Sequence, residues 1–277
     1  MDTKVAPVLW RASLNYFPGS ATGQPATLEM PIHDGRAASL PGWEECGFEL
    51  LPHGSAVTDW SDDESIKRTH YPEIVALAER LSGCDHALLS SHIKRGPEQA
   101  KQHHDLAPIT LVHSDFADSY GTQIRDRWRS PNEEEAAALD AAGISSSAAA
   151  DARRIVILQF WRNIGAPKMD MPLAFCDART VPRPQIRPFP VTNYAGGGFD
   201  FDALGFAAPD HPDDHAWYAF DSMQVDEVVA FRTYDTDRVD DGRPYWTPHS
   251  AVRDPAVPLG RPSRSSIELR ATCVFLY

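Results

Sequence analysis

Apolar positions along this chain follow two regimes. In the second half, residues 154–161 read Arg-Ile-Val-Ile-Leu-Gln-Phe-Trp, a nearly unbroken β-branched and aromatic run that predicts a buried strand. Residues 228–234 predict another, and residues 266–277 alternate well enough to form a barrel strand closing the chain. The first half is mixed. Residues 7–16, 27–32 and 47–51 read as short strands, and residues 74–81 as an amphipathic helix. Asp62-Asp63-Glu64 and Pro72-Glu73 ahead of that helix suit its dipole, and Gly83 is a fitting stop. A β-branched run at 109–112 predicts a strand leading into His113, and residues 120–128 and 133–142 are compatible with helices. The small, polar tract 145–151 reads as a mobile surface loop, and the proline-dense stretches 181–190, 209–214 and 253–262 as loops. There is no repeat of fixed period and no obvious linker.

Several antiparallel strands separated by loops, with helices gathered toward the N-terminal half, argue for a mainly β fold with flanking helices. The expected architecture is a double-stranded β-helix, a jelly-roll or cupin-like barrel of eight strands, as one domain over residues 1–277. One mouth of such a barrel can hold a metal and a ligand.

Composition narrows the partners. With 26 Lys and Arg against 39 Asp and Glu, the formal net charge is −13, a field that repels polyphosphate and anionic membrane surfaces. No apolar run approaches the ~20 residues that span a bilayer. The N-terminus, Met1-Asp2-Thr3-Lys4, lacks the apolar segment of a secretory signal. Cys46, Cys84, Cys176 and Cys273 are scattered with no CxxC pair, as expected of reduced thiols in a cytoplasmic protein, and they do not support a thiolate zinc site.

The candidate chemistry lies in His113-Ser114-Asp115. Eleven histidines and 39 acidic residues in 277 positions produce roughly 1.5 His-x-acid matches by chance, so context must decide among the three present. His103-His104-Asp105 lies in a polar stretch, and His211-Pro212-Asp213 sits among prolines that favour a turn. Only His113 and Asp115 sit two apart on a plausible strand, where side chains share a face. His249 follows far downstream, at an expected strand end. Two imidazoles and one carboxylate on one face of Fe(II) leave positions open for a co-substrate and dioxygen. Arg264 and Ser266 begin 15 residues after His249, so Arg264 is placed to clamp the far carboxylate of a metal-chelating diacid, with Ser266 adding a hydroxyl. Arg270 shares their face but lies four residues beyond Ser266, about 13 Å by strand rise, and is the weaker candidate for the co-substrate. A salt bridge to Glu268 or a surface aspartate is the plainer role for any of these arginines, and a buried histidine bonded to a carboxylate the plainer role for the motif.

These residues also carry a resemblance. The chain resembles the bacterial and fungal Fe(II)/2-oxoglutarate enzymes of the hydroxylase/desaturase type. That family includes a protein of cephamycin 7-α-methoxylation, relatives of fungal gibberellin desaturase and a meroterpenoid endoperoxide-forming enzyme. The matching stretches run in order from about Pro7. They are Gly47-Phe48-Glu49-Leu50, Tyr71-Pro72-Glu73, Val112-His113-Ser114-Asp115, Phe160-Trp161-Arg162, Pro172 to Asp177, Phe231 to Asp235, Thr247-Pro248-His249-Ser250 and Arg264 to Arg270. The resemblance implies that His113, Asp115 and His249 bind iron, that 2-oxoglutarate and dioxygen are consumed, and that Trp161 and Arg162 line the pocket. It implies hydroxylation, desaturation or ring closure of a small molecule at an unactivated C–H bond. Gln159 departs from the asparagine of the family. Phe116, Tyr120 and Phe160 complete the expected pocket wall, although core packing is the commoner role for each aromatic, with Arg162 set to meet an acidic substrate. A carboxylate at Asp115 argues against a halogenase, which needs that position vacant. An iron oxygenase that does not consume 2-oxoglutarate, a cupin-like isomerase and a non-catalytic small-ligand barrel are the alternatives. No G-x-S-x-G is present for a serine hydrolase.

Overall fold

A computed structural model describes residues 6–19 and 23–277. Among the described residues, fourteen strands run in chain order: β1 (Val8–Tyr16), β2 (Ala26–Asp34), β3 (Phe48–Pro52), β4 (His86–Leu89), β5 (Ile93–Arg95), β6 (His113–Ser114), β7 (Arg154–Asn163), β8 (Leu173–Cys176), β9 (Ile186–Val191), β10 (Phe201–Phe206), β11 (Trp217–Ala219), β12 (Glu227–Asp235), β13 (His249–Ala251) and β14 (Ser266–Phe275). They form two sheets. Eight strands order as β1-β2-β11-β8-β13-β6-β10-β9, and six as β3-β12-β7-β14-β4 with β5 also on β14.

The alternation of side chains along β7 defines the layers. Ile155, Ile157 and Trp161 face inward and pack with residues of the eight-stranded sheet such as Tyr16, Trp217 and Phe175. Val156, Leu158 and Phe160 face outward, with Leu269, Ala271 and Cys273 of β14, beneath Ile74, Leu77 and Ala78 of helix Tyr71–Ser82. Both faces of β7 are therefore apolar, which is why its sequence reads as a continuous run. Two facing sheets with a helix on the outside make the expected jelly-roll barrel. Helix Tyr71–Ser82 ends as the sequence predicts: Gly83 adopts φ 71° and its N–H returns to Glu79 O at 2.8 Å. No helix among the described residues is long and apolar enough to cross a membrane.

Three local expectations need correction. The tract 145–151 is not a loop: Ser145 accepts from Ala148 N and caps helix Ser146–Ala150, whose Ala149 and Ala150 are buried. The stretch 181–190 contains most of β9, which tolerates Pro188 and Pro190 because it lies at the end of its sheet. The predicted strand over 109–112 forms no regular ladder, and β6 spans two residues. Its backbone is satisfied instead by single bonds, Val112 N to Asn15 O and Ala251 N to Ile109 O, each 2.8 Å.

Candidate metal centre

β6 lies between β13 and β10, and the β13 pairing sets His249 directly opposite His113. Their ring centroids are 4.3 Å apart. Each imidazole is oriented by a carbonyl two residues earlier in its own chain: His113 Nδ1–H donates to Leu111 O at 2.8 Å, and His249 Nδ1–H to Thr247 O at 3.0 Å. That fixes the tautomer and leaves both Nε2 lone pairs free, as metal-binding histidines require. Asp115 lies just past β6, with Oδ1 4.0 Å from His113 Nε2, and the ligand atoms of the three residues all fall within 4.8 Å of one another.

All three side chains are buried. Burial, reinforced by His249, pushes His113 down to about 3, and burial also lowers His249, so both imidazoles are neutral at pH 7. Burial works to raise Asp115, but Arg270, followed by His249 and His113, outweighs it and holds the carboxyl below its usual range. Neutral imidazoles and an ionised carboxylate are the states that coordinate a divalent cation.

The inward row of β14 brings a band of charge into the barrel. Arg264 is buried, stands 5.2 Å over the Trp161 ring and donates Nε–H to Ser266 Oγ at 3.0 Å. Its Nη1 has no hydrogen-bond partner among the described residues. Burial first, then Arg95, lowers Arg264 to about 9. Asp170, also buried, accepts Arg264 N at 2.9 Å and Gly260 N at 2.7 Å, anchoring the loop that leads into β14. Arg270 Nη2 meets Asp115 Oδ2 at 3.4 Å, and its guanidinium lies over Phe116 at 5.5 Å. Glu268, the expected partner of these arginines, pairs instead with Arg95 at 3.2 Å. Arg95 on β5 also donates to Tyr194 Oη at 2.7 Å and to the carbonyls of Asp105 and Ala107. Sequence reasoning missed Arg95, Tyr194 and Asp170, because each lies in a short or irregular segment whose partners are distant in the chain.

Other expected pocket residues divide by strand parity. Trp161 faces inward beside Arg264, and its indole N–H has no partner among the described residues. Gln159, two residues earlier, shares that face, and its Nε2 is likewise unpaired. Arg162 and Phe160 must then point outward, and they do. Phe160 joins the outer core. Arg162 is fully buried against a surface loop, donating to His53 O at 2.8 Å, to His53 Nδ1 at 2.6 Å and to Val225 O. It is a clamp for that loop and does not line the barrel. Tyr120 stacks on Phe116 at 3.9 Å, close enough to Arg270 for each to affect the other's ionisation.

The remaining histidine motifs lie elsewhere. His211 begins an exposed 3-10 turn. His103, His104 and Asp105 form a second cluster with metal-ligand geometry. Its His104 is largely exposed, and its His103 Nδ1 already accepts Asp105 N–H at 3.2 Å.

Known proteins share this framework. The chain is 27% identical over 251 residues to the alpha-ketoglutarate-dependent dioxygenase phiK of a fungal species, covering 84% of this chain and 79% of that protein. It is 28% identical over 238 residues to the hydroxylase/desaturase efuI of Hormonema carpetanum, covering 81% and 75%. The solved structure of the iron and alpha-ketoglutarate-dependent endoperoxidase NvfI, an Aspergillus novofumigatus protein, superposes with a TM-score of 0.71 at 20% identity over 96% of this chain and 97% of that one, which shows the shared fold. Residues 11–275 match the family model described as the oxidoreductase/YMDC permease-like domain (YDMC), and the chain belongs to that family.

Proposed function

We propose that this protein is a non-haem Fe(II)/2-oxoglutarate-dependent oxygenase acting on a small-molecule secondary metabolite. The observation that carries the reading is the convergence of His113, Asp115 and His249, with both Nδ1 atoms tied to carbonyls and both Nε2 atoms free. This donor set fits Fe(II): two neutral imidazoles and one carboxylate from one side, with the other positions open. The unpaired Arg264 Nη1 and Gln159 Nε2, buried on the inner face, fit the carboxylates of 2-oxoglutarate. Bound together, Fe(II), 2-oxoglutarate and dioxygen supply the oxidation of an unactivated C–H bond.

The chain's own residues would do the following. His113, Asp115 and His249 would hold the metal, their orientation set by Leu111 O, Thr247 O and Arg270. Arg264 would bind the distal carboxylate through its free Nη1, steadied by Ser266, while Trp161 covers the guanidinium and keeps water out. Phe116 and Tyr120 would wall the space beside Arg270. The relatives' names support oxidation as hydroxylation, desaturation or endoperoxide formation. A net charge of −13 supports a small-molecule substrate over nucleic acid or an anionic membrane. Four free cysteines support a reducing cytoplasm, and two sheets drawing strands from both ends of the chain support one domain over residues 1–277.

The reading is tested by succinate formation in purified protein. Succinate should accumulate only with Fe(II), 2-oxoglutarate and dioxygen all present. Absence of Fe(II) affinity, or substrate oxidation without succinate, would favour the ligand-binding or 2-oxoglutarate-independent alternatives.

A further inference from the structure

We infer that Arg270 reads a carboxylate on the primary substrate, so that the protein acts on an apolar carboxylic acid. The inference rests on the oxygenase reading above and extends it to substrate class. Three guanidinium groups enter the barrel near the metal centre, and they differ in what their donors already hold. Arg95 bonds Glu268, Tyr194 and two carbonyls. Arg264 is deeply buried and aligned by Ser266 for the co-substrate. Arg270 makes one hydrogen bond among the described residues, from Nη2 to Asp115 Oδ2, and its buried Nε has none. Its side chain keeps 12% exposure, so open space remains beside it.

Charge balance points the same way. Asp115 is the counter-ion of Arg270 through Oδ2, and its other oxygen, Oδ1, lies 4.0 Å from His113 Nε2. A divalent cation on Oδ1 shares that negative charge and leaves a guanidinium short of compensation in a dry interior, which is costly. Both carboxylates of the co-substrate are already committed, one to Arg264 and one to the metal. A third carboxylate, brought by the substrate, would restore the balance and accept two parallel N–H bonds. The surroundings suit an apolar body: Phe116 lies beneath the guanidinium, Tyr120 stacks on Phe116, and Tyr194 stands nearby. Because Arg270 contacts a metal ligand directly, a substrate held this way places C–H bonds near its carboxylate beside the metal.

Mn(II)-loaded, 2-oxoglutarate-bound protein would be titrated with cyclohexanecarboxylate and with cyclohexanecarboxamide, a pair differing only in charge. Wild type should bind the acid at least about tenfold more tightly than the amide, as expected for a charge-assisted pair in a partly dry site. Arg270→Gln should reduce that preference to about twofold or less. Arg270→Lys, which keeps the charge but not the fork, should retain part of the preference and guards against a folding defect. Equal binding of acid and amide by wild type would overturn the proposal. So would an Arg270→Gln protein that keeps the roughly tenfold preference, whatever its 2-oxoglutarate affinity, because another group would then read the carboxylate. Failure of wild type to bind Mn(II) or 2-oxoglutarate, seen before any fragment is added, would overturn the oxygenase reading and this inference with it.

Discussion

His249 is the ladder partner of His113, and the two rings meet at 4.3 Å with each Nδ1 tied to a carbonyl two residues earlier. The same i−2 bond on two adjacent antiparallel strands engages both Nδ1 atoms and leaves both Nε2 atoms free. The metal centre is thus built largely by backbone, and side chains beyond the ligands adjust its charge.

That construction makes Gly47 important without any contact to a metal. Gly47 adopts φ 102°, and its carbonyl accepts Thr247 Oγ1–H at 2.9 Å. A Cβ there would lie 2.4 Å from Thr247 Oγ1. Gly47→Ala must both strain the backbone, at about 1–3 kcal/mol, and displace the residue whose carbonyl orients His249. We expect a lower melting temperature and roughly tenfold weaker Fe(II) binding, the usual scale for losing an orienting partner, measured by metal titration. Unchanged Fe(II) affinity would show that the Thr247 carbonyl does not set the ligand.

Arg264→Leu should remove the co-substrate's distal contact and leave the metal in place. Loss of a buried charged hydrogen-bond partner costs about 2–5 kcal/mol, or roughly 30-fold or more in 2-oxoglutarate affinity. Calorimetric titration of the metal-loaded variant checks this. A larger loss in Arg270→Leu would move the assignment to Arg270.

Arg162→Met should do the reverse. Its guanidinium bonds His53 and Val225 outside the barrel, so the variant leaves two half-buried carbonyls without donors and costs about 1–3 kcal/mol each at most. Denaturant unfolding should show the loss, while 2-oxoglutarate turnover per folded molecule stays within about twofold. A selective rise in KM for an acidic substrate would return Arg162 to the pocket.

Acid should unfold the metal-free protein earlier than its carboxylates alone would. Burial, with help from Arg162, lowers His70 to about 4, and burial lowers His215 to about 4. Above pH 6.5 both histidines are neutral folded and unfolded, so their contribution is complete and flat. Below 6.5 the unfolded chain takes up protons that the folded one refuses until about pH 4, and stability falls by about 1.4 kcal/mol per pH unit for each. Unfolding curves from pH 7 to 4 on wild type and His215→Asn test this, the variant showing the shallower slope. Equal slopes would mean His215 is protonated in the folded state.

Much of the barrel is legible in the sequence where burial is two-sided and elements are long. β7, β12 and β14 show as apolar runs because one face meets the opposite sheet and the other the helix layer. β4, β5, β8 and β11 are three or four residues long, too short to express a period. The 146–150 helix escaped because alanine and serine read as a loop until Ala149 and Ala150 are seen buried. In the site, the His-x-Asp motif and the Arg-x-Ser spacing were visible, whereas treating Trp161 and Arg162 as a pair overlooked that neighbours on a strand face opposite ways. Arg95, Glu268 and Tyr194 come from β5, β14 and a glycine-rich loop, and only tertiary packing joins them.

Fe(II) content is the most direct test of the central claim, because two histidine clusters among the described residues have ligand geometry. Wild type, His113→Ala, His249→Ala, Asp115→Ala and His103→Ala would be loaded anaerobically, desalted and assayed for iron, with succinate release measured alongside. We predict that wild type and His103→Ala retain iron and form succinate, and that each variant of the His113, Asp115 and His249 set loses both. Iron retained in His113→Ala but lost from His103→Ala would place the metal at the exposed cluster and contradict the account.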